Sequence, residues 1–358
     1  MHKKLFIPGP TEVVKEVLDA QTKPMIGHRS KEFSTLLTSV VEKLKRILKT
    51  KNEVYIITSS GTGVMEAAIR NCVNKKVLCL VCGAFSKRWS QIAQACNKEI
   101  STVEVDWGKA VKPEMVADAL KKDKYDAVTL VHNETSTGVR NPIEGIAQVV
   151  KEYPGTLLLV DTVSSLMGDK VEIDNLGIDV CLASVQKCFA LPPGMAVGII
   201  SQKALERSAQ LKDKGYYFDF KVFQKYWEDR KQTPTTPGIS VIQALDYQLD
   251  RIEKEGIENR YQRHKEMAGM VQAWAKKHFA MFSEDGYHSV TVSAITNTKG
   301  ISIADLNKEL GNQGYTISNG YGKLKEKTFR VAHMGDLTKD DVKDLLGRIE
   351  KIAKLEAS

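Results

Sequence analysis

Between residues 54 and 201, short apolar runs alternate with segments of helical periodicity. The runs are rich in β-branched residues and too short for helices, so each one predicts a strand. The six predicted strands are 54–58, 77–81, 127–131, 157–160, 180–183 and 196–200. Several runs are continuously apolar, which is typical of strands buried on both faces. The pattern predicts an α/β fold, with a mostly parallel sheet between layers of helices and ligands beyond the carboxyl ends of the strands.

The pattern changes after the sixth run. Residues 201–236 are charged and rich in aromatics, and we expect a partly irregular connection there. A long helical pattern begins at Ile239, and from about residue 285 predicted strands and helices alternate again. In chain order these are a strand at 289–294, a helix at 303–310, a strand at 328–332 and a helix after Thr338. This last part of the chain predicts a smaller α+β domain.

The net charge of +8 raises the question of a nucleic-acid partner. The lysines are scattered among many acids, however, and the clusters at 43–51 and 323–327 lack interleaved aromatics, so the charge suits anionic small molecules at least as well.

The six cysteines show no paired CxxC spacing, and we expect reduced core thiols rather than disulfides or a zinc site. No stretch approaches the length of a membrane span, and we expect a cytoplasmic protein with neither a nucleic-acid nor a membrane partner.

A turn of small polar residues, 59–63, joins the first predicted strand to a helical run at 64–71. Its backbone amides and hydroxyls would lie at a helix N-terminus, which is a favourable place for an anion. Gly61 and Gly63 would let the chain approach a phosphate closely. The alternative is an ordinary strand-to-helix turn, because Ser and Thr also cap helices.

Two ionisable residues follow later predicted strands. Asp161 comes directly after the run at 157–160, so its carboxylate would emerge at the carboxyl end of a buried strand. It would either cap the following turn or pair with a cationic ring nitrogen. Lys187 follows the apolar run at 180–185. It is either a solvated, inert lysine or, if it lies near the core, an amine whose pKa is lowered by desolvation and which attacks an aldehyde.

Together, these three features describe one cofactor, pyridoxal 5′-phosphate. The helix N-terminus would neutralise its phosphate, Asp161 would keep its pyridine nitrogen protonated, and Lys187 would bond its aldehyde. This hypothesis requires no metal.

Six motifs resemble those of the class V aminotransferases of fold type I, and within them the alanine–glyoxylate, serine–pyruvate and serine–glyoxylate aminotransferase group. The motifs are Pro8-Gly9-Pro10-Thr11, residues 59–63, residues 132–138 (HNETSTG), Val160-Asp161, residues 184–187 (SVQK) and Phe329-Arg330-Val331. The resemblance spans nearly the whole chain. It implies an N-terminal segment near the active site (1–20), a large cofactor-binding domain with a mostly parallel seven-stranded sheet (21–250) and a small C-terminal α+β domain (251–358).

The resemblance also implies roles for individual residues. The phosphate would be held by Ser60, Gly61, Thr62 and Gln186. Phe85 and Val163 would pack on the two faces of the ring. Ser136 would hydrogen-bond near the ring hydroxyl, and Asp161 would pair with the ring nitrogen. The neighbouring subunit of a homodimer would bring Gln232 and Thr235 to the phosphate. Lys187 would be the catalytic residue, while Gly9 and Arg330 would bind the substrate. A guanidinium suits the substrate carboxylate because it donates two parallel hydrogen bonds.

The implied activity is a ping-pong transfer of an amino group from alanine or serine to glyoxylate or pyruvate. Three alternatives share the scaffold. Cysteine desulfurases commonly carry histidine before the cofactor lysine, and aminoethylphosphonate transaminases tend to carry asparagine. This chain has Gln186 there, although Cys188 keeps the lyase alternative open. The third alternative is a catalytically silent protein, and the joint presence of Lys187, Asp161 and Arg330 argues against it.

Overall fold

A computed structural model describes residues 2–355 of the chain. Within that range there are fourteen strands and thirteen α-helices. The strands are β1 (Lys4–Phe6), β2 (Glu53–Ile57), β3 (Lys76–Val81), β4 (Glu99–Glu104), β5 (Ala127–Val131), β6 (Asn133–Glu134), β7 (Val139–Arg140), β8 (Leu157–Asp161), β9 (Val180–Ser184), β10 (Ala196–Ile200), β11 (Ala280–Met281), β12 (Val292–Thr296), β13 (Tyr315–Asn319) and β14 (Thr328–Ala332). The helices are α1 (Lys15–Asp19), α2 (Lys31–Leu48), α3 (Gly61–Cys72), α4 (Ala84–Ala95), α5 (Pro113–Lys122), α6 (Ile143–Lys151), α7 (Ile173–Leu176), α8 (Gln202–Gln210), α9 (Phe220–Arg230), α10 (Ile239–Glu255), α11 (Ile257–His278), α12 (Ile303–Asn312) and α13 (Lys339–Ile352).

Seven of the strands in residues 2–355 form one sheet, in the order β2-β10-β9-β8-β5-β3-β4. β10 is antiparallel to both of its neighbours, and the other strand pairs are parallel. The predicted seven-stranded, mostly parallel sheet is therefore confirmed. The carboxyl ends of its parallel strands meet at one edge, where ligands bind in sheets of this kind.

Helices cover both faces of the large sheet. Successive residues of a strand point to opposite sides of the sheet, so each apolar strand contributes side chains to two cores. Leu78 and Leu80 belong to the apolar core on one face, together with residues of α2, α6 and α10. Cys79 and Val81 belong to the core on the other face, together with residues of α3, α4 and α9. The continuously apolar runs of the sequence are thus strands buried on two faces, as predicted.

A second sheet has the strand order β1-β13-β14-β12-β11 and packs against α11, α12 and α13. Its core joins Phe6, from the start of the chain, to Trp274, Phe329 and Leu345. The strand β1 pairs in parallel with β13, so this α+β unit draws on both ends of the chain. The domain limits at residues 20 and 250 stay a prediction, and residue 250 lies within α10.

The structure contains elements that the sequence pattern missed. The strand β4 lies at the edge of the large sheet, and all of its residues are exposed or half-buried, so no continuous apolar run marks it. The connection at 201–236 holds two helices, α8 and α9, separated by an irregular stretch. Ser201 and Asp219 cap these helices by accepting hydrogen bonds from main-chain amides.

Candidate active site

A cavity of about 190 Å³ lies where the loops leave the carboxyl ends of the large sheet. Most of the residues predicted to hold the cofactor line it. These are Ser60, Gly61, Thr62, Phe85, Asp161, Val163, Gln186 and Lys187. They lie at or just after the carboxyl ends of four different strands, β2, β3, β8 and β9. The parallel sheet therefore brings together side chains that are up to 127 positions apart in the sequence.

The turn after β2 leads directly into α3, which begins at Gly61. The main-chain amides of a first helical turn have no partner inside the helix, so they are free to hold an anion. Ser60 is the N-cap residue, yet its side chain makes no capping hydrogen bond within the described chain. A Cβ atom at Gly61 would lie 2.6 Å from Cγ2 of Val163, so this position has no room for a side chain. These features favour the anion site over an ordinary capped turn.

Asp161 ends β8 and has 5% of its surface exposed. The Val163 amide donates a hydrogen bond of 2.7 Å to Oδ1, while Oδ2 has no hydrogen-bond partner among the described residues. Burial raises the pKa of the carboxyl group to about 7. A cation against Oδ2 would stabilise the ionised form. The capping role therefore uses one oxygen and leaves the other available to a protonated ring nitrogen.

Lys187 follows β9, and its buried Nζ donates a hydrogen bond to the carbonyl oxygen of Pro8. Burial lowers the pKa of this amine to about 8, and the positive charge of Arg330 lowers it as well. About a tenth of such an amine is neutral at pH 7, compared with roughly one part in three thousand for an ordinary lysine. The neutral amine is the form that attacks an aldehyde.

Residues 8–11 pack against Lys187. The Thr11 amide donates to the carbonyl oxygen of Gln186 at 3.0 Å, and Thr11 Oγ1 donates to that of Lys187 at 3.0 Å. Gly9 has a φ angle of 124°, which side chains rarely adopt, and a Cβ there would lie 2.7 Å from Lys187 Nζ. Glycine is therefore required where the N-terminal segment passes the amine.

Arg330 lies on β14 with 9% of its surface exposed. Its Nη1 donates to the carbonyl oxygen of Thr135 at 3.2 Å, and Thr135 lines the cavity. No carboxylate of the described residues lies within 4.0 Å of the guanidinium, and burial lowers its pKa to about 10. A buried guanidinium with free N–H groups is suited to bind an incoming carboxylate.

Three predicted cofactor residues do not line the cavity. Ser136 is buried, and its hydroxyl donates a hydrogen bond of 2.6 Å to the carboxylate of Glu134. Gln232 and Thr235 lie between α9 and α10, where the Gln232 side chain donates to Ser34 Oγ at 3.0 Å. Their roles in cofactor binding stay predictions, and for Gln232 and Thr235 they require a second subunit.

The sequence interpretation missed two charged residues of the site. Glu134 is fully buried, and its carboxylate accepts hydrogen bonds from the amides of Phe85 and Ser86. It therefore holds the turn that carries Phe85. Arg88 lines the cavity one helical turn after Phe85. The signal that could have found Arg88 is its i+3 spacing from a predicted ring-stacking residue, because such neighbours share a helix face.

The residues of the cavity fit pyridoxal phosphate. The first turn of α3 can hold a phosphate, Oδ2 of Asp161 can accept a hydrogen bond from a protonated ring nitrogen, and the amine of Lys187 can bond an aldehyde. Among residues 2–355, no group of three or more His, Cys, Asp or Glu side chains is arranged to hold a metal ion. No helix in the same range is long and apolar enough to cross a membrane.

Known proteins match the chain over nearly its whole length. An uncharacterized aminotransferase of Methanocaldococcus jannaschii is 42% identical over 99% of this chain and 93% of its own. The L-aspartate–glyoxylate aminotransferase of Paracoccus denitrificans is 34% identical (93% and 87% covered), and the serine–glyoxylate aminotransferase of Hyphomicrobium methylovorum is 35% identical (93% and 85%). The solved structure of a Nostoc alanine–glyoxylate aminotransferase has a TM-score of 0.93 at 29% identity, covering 99% of this chain and 96% of that one.

The family model described as aminotransferase class-V matches residues 5–344. This range contains the whole large sheet, all of the second sheet except Lys4, and all the residues that line the cavity. The fold and the sequence matches therefore agree over the same part of the molecule, and the chain belongs to the class V aminotransferases, enzymes of the fold type I scaffold.

Proposed function

We propose that the chain is a pyridoxal-phosphate-dependent aminotransferase that moves the amino group of alanine or serine to glyoxylate or pyruvate by a ping-pong mechanism. One observation carries the proposal. The amine of Lys187, the free oxygen of Asp161 and the first turn of α3 face a single cavity, and the pKa of Lys187 is lowered to about 8 by burial. Perturbed ionisable groups that converge in a cleft are characteristic of catalytic sites.

When bound, pyridoxal phosphate supplies an aldehyde that bonds amines and a ring that withdraws electrons from the attached amino acid. The first turn of α3 would hold the phosphate, with the hydroxyls of Ser60 and Thr62. Oδ2 of Asp161 would accept a hydrogen bond from the protonated ring nitrogen and so keep that nitrogen charged. Nζ of Lys187 takes the proton from the α-carbon of the amino acid, a role that suits a base whose pKa lies near the working pH.

Arg330 binds the carboxylate that amino-acid donors and 2-oxo-acid acceptors have in common. This shared group explains how one site can serve both halves of a ping-pong reaction. Alanine and serine as donors agree with the names of the Nostoc and Hyphomicrobium proteins. Aspartate is a second candidate donor, because the Paracoccus relative is named for it.

The substitution Arg330→Lys is expected to lower kcat/KM for the amino donor by about 10- to 100-fold, because a lysine cannot reproduce two parallel charge-assisted hydrogen bonds. Steady-state kinetics with alanine and serine would measure the effect. Arg348→Lys is the matched control, since Arg348 pairs with Asp344 on the surface of α13. An unchanged kcat/KM in the Arg330 variant would remove this residue from substrate binding.

The desulfurase alternative requires a reactive cysteine. Cys188 is fully buried, and its Sγ lies 3.6 Å from the carbonyl oxygen of Ser164. Burial raises the pKa of its thiol to about 12. A thiol that stays protonated inside the core is a poor nucleophile. The surroundings of Cys188 therefore favour the transaminase over the lyase.

The visible spectrum of the purified holoenzyme tests the proposal. Alanine, serine, aspartate, cysteine and aminoethylphosphonate are added singly, without an acceptor. Conversion to the pyridoxamine spectrum by one donor, reversed by glyoxylate or pyruvate, is the expected result and names the donor. Bound cofactor that no donor converts would support the catalytically silent alternative, and sulfide released from cysteine would support the lyase.

The proposed assembly is a homodimer with active sites at the interface. It rests on the resemblance and on the positions of Gln232 and Thr235, which lie outside the cavity of their own chain. Sedimentation equilibrium at several protein concentrations would measure the assembly, and a monomer at micromolar concentration would contradict it. A cytoplasmic location stays a prediction.

A further inference from the structure

Arg88 joins two walls of the cavity. It is half-buried on α4, one turn after Phe85. Its guanidinium carbon lies 4.9 Å from the centre of the Phe85 ring, within the range of a cation–π contact. Its Nη1 donates a hydrogen bond of 3.0 Å to Oγ1 of Thr62, in the first turn of α3. One side chain therefore connects the predicted ring-stacking residue with the predicted phosphate turn.

The charge of Arg88 has no partner of opposite sign in the described part of the chain. No carboxylate there lies within 4.0 Å of its guanidinium. Arg70, by contrast, pairs with Glu66 at 2.8 Å near the other end of α3. A guanidinium has five N–H donors, and the bond to Thr62 uses one of them. The wall of the cavity thus carries a positive charge and several hydrogen-bond donors that are available to bind an anion.

The hydrogen bond from Arg88 also orients Thr62. A hydroxyl has one proton and two acceptor lone pairs. Because Arg88 occupies a lone pair of Oγ1, the hydroxyl proton of Thr62 must point elsewhere. The amide of Thr62, the hydroxyl and the guanidinium are then three donors grouped at one helix N-terminus, which is itself a favourable place for negative charge.

We propose that Arg88 is a positioning residue for the phosphate group of the cofactor, which it serves by orienting Thr62 and by placing a positive charge beside the first turn of α3. The inference rests on the proposed function, because it requires a phosphorylated cofactor in the cavity. It does not require that Arg88 touch the substrate. The proposal therefore separates Arg88 from Arg330, which is assigned to the substrate carboxylate.

Two probes separate a role toward the phosphate from a general structural role. Pyridoxamine 5′-phosphate and pyridoxamine differ only in the phosphate, and neither has an aldehyde to bond Lys187. Their affinities for the cofactor-free protein can be measured by isothermal titration calorimetry. Arg88→Met keeps most of the side-chain stem and removes the charge, whereas Arg88→Lys keeps a charge. Lys87→Met is the matched control, because Lys87 is an exposed cation on the same helix.

In Arg88→Met, the Kd for pyridoxamine 5′-phosphate is expected to rise about 10- to 100-fold, the effect of losing charge-assisted hydrogen bonds. The Kd for pyridoxamine should change by less than about twofold, as should both Kd values in Lys87→Met. Arg88→Lys should show a smaller loss that is again confined to the phosphorylated probe. Thermal unfolding of each cofactor-free variant checks that it is folded. If Arg88→Met does not fold, the Kd values of Arg88→Lys for the two probes test the proposal.

Three outcomes would overturn the inference. Equal losses for both probes would make Arg88 a support for Phe85 rather than for the phosphate. No loss for either probe would exclude a role in cofactor binding. Steady-state kinetics of Arg88→Met with alanine and with aspartate complete the test, and a loss confined to aspartate would assign the guanidinium to a second substrate carboxylate. If the unaltered protein bound neither probe, the proposed function itself would fail, and this result is distinct from the other three.

Discussion

Replacing Lys187 by alanine is expected to abolish transamination in a protein that still folds. The substitution removes the amine that bonds the cofactor and moves the substrate proton, and loss of a general base alone costs about 10²- to 10⁴-fold in rate. The effect of the substitution on folding stability should be small by comparison. Within the described residues the amine makes one hydrogen bond, to the Pro8 carbonyl oxygen, and an unsatisfied carbonyl costs about 1–3 kcal/mol.

The rate of glyoxylate-dependent turnover of alanine and serine measures the effect of Lys187→Ala, with circular dichroism to verify the fold. Lys170→Ala is the control, because Lys170 is an exposed lysine paired with Glu172 on the surface. We expect full activity in the control and at least about a 10⁴-fold lower kcat in the Lys187 variant. Normal turnover by a folded Lys187→Ala protein would refute the mechanism.

The strands that the sequence predicted are those whose two faces are both buried. In β3, residues from Val77 to Val81 pack alternately into the two cores, and the result is an unbroken apolar run. The edge strand β4 has one neighbour and carries Glu99, Thr102 and Glu104 in exposed positions. Its pairing with β3 is a long-range contact that no local pattern records. An edge strand with partly exposed faces therefore escapes a search for apolar runs, whereas β2, at the opposite edge, is predicted because four of its five residues are buried.

The site residues divide in a similar way, into those that a local pattern predicts and those whose roles depend on long-range contacts. Asp161 and Lys187 each follow an apolar run, so their place at the edge of the sheet can be inferred locally. Glu134 acts on Ser86, which is 48 positions away, and Arg88 acts on Thr62, which is 26 positions away. Such contacts depend on how two distant segments meet after folding, and no local pattern of the sequence reveals them.

The substitution Asp161→Asn is expected to have opposite effects on activity and on stability. Transamination should fall by about 10²- to 10³-fold, the usual cost of removing a preorganised charge at a reacting group. The cofactor-free protein, however, should become more stable at pH 8. Burial raises the pKa of Asp161 to about 7 from the ordinary value of 3.8, so the folded state holds this proton more tightly than the unfolded state does.

The sign of the pH effect follows from this raised pKa. The contribution of Asp161 to stability is fully present below pH 3.8 and is lost as the pH rises through 7. A difference of about three pKa units makes the loss roughly 4 kcal/mol at pH 8. Asparagine does not ionise and keeps the acceptor for the Val163 amide. The stability gain of Asp161→Asn should therefore grow by roughly 2–3 kcal/mol between pH 5 and pH 8.

Urea unfolding of the cofactor-free proteins at both pH values would measure this gain. Asp169→Asn makes the same change of charge at a carboxylate that pairs with Arg140 at 2.6 Å, and it should destabilise the protein because it removes the nearer of the two carboxylates that pair with this half-buried cation. In the cofactor-free protein, the buried charge of Asp161 lowers the free energy of unfolding, because no cation of the described residues pairs with it. The protonated ring nitrogen of the bound cofactor would offset that loss. An Asp161→Asn variant that is less stable than the unaltered protein at pH 8 would show that Oδ2 has a partner within the protein, and the carboxylate would then have a structural role.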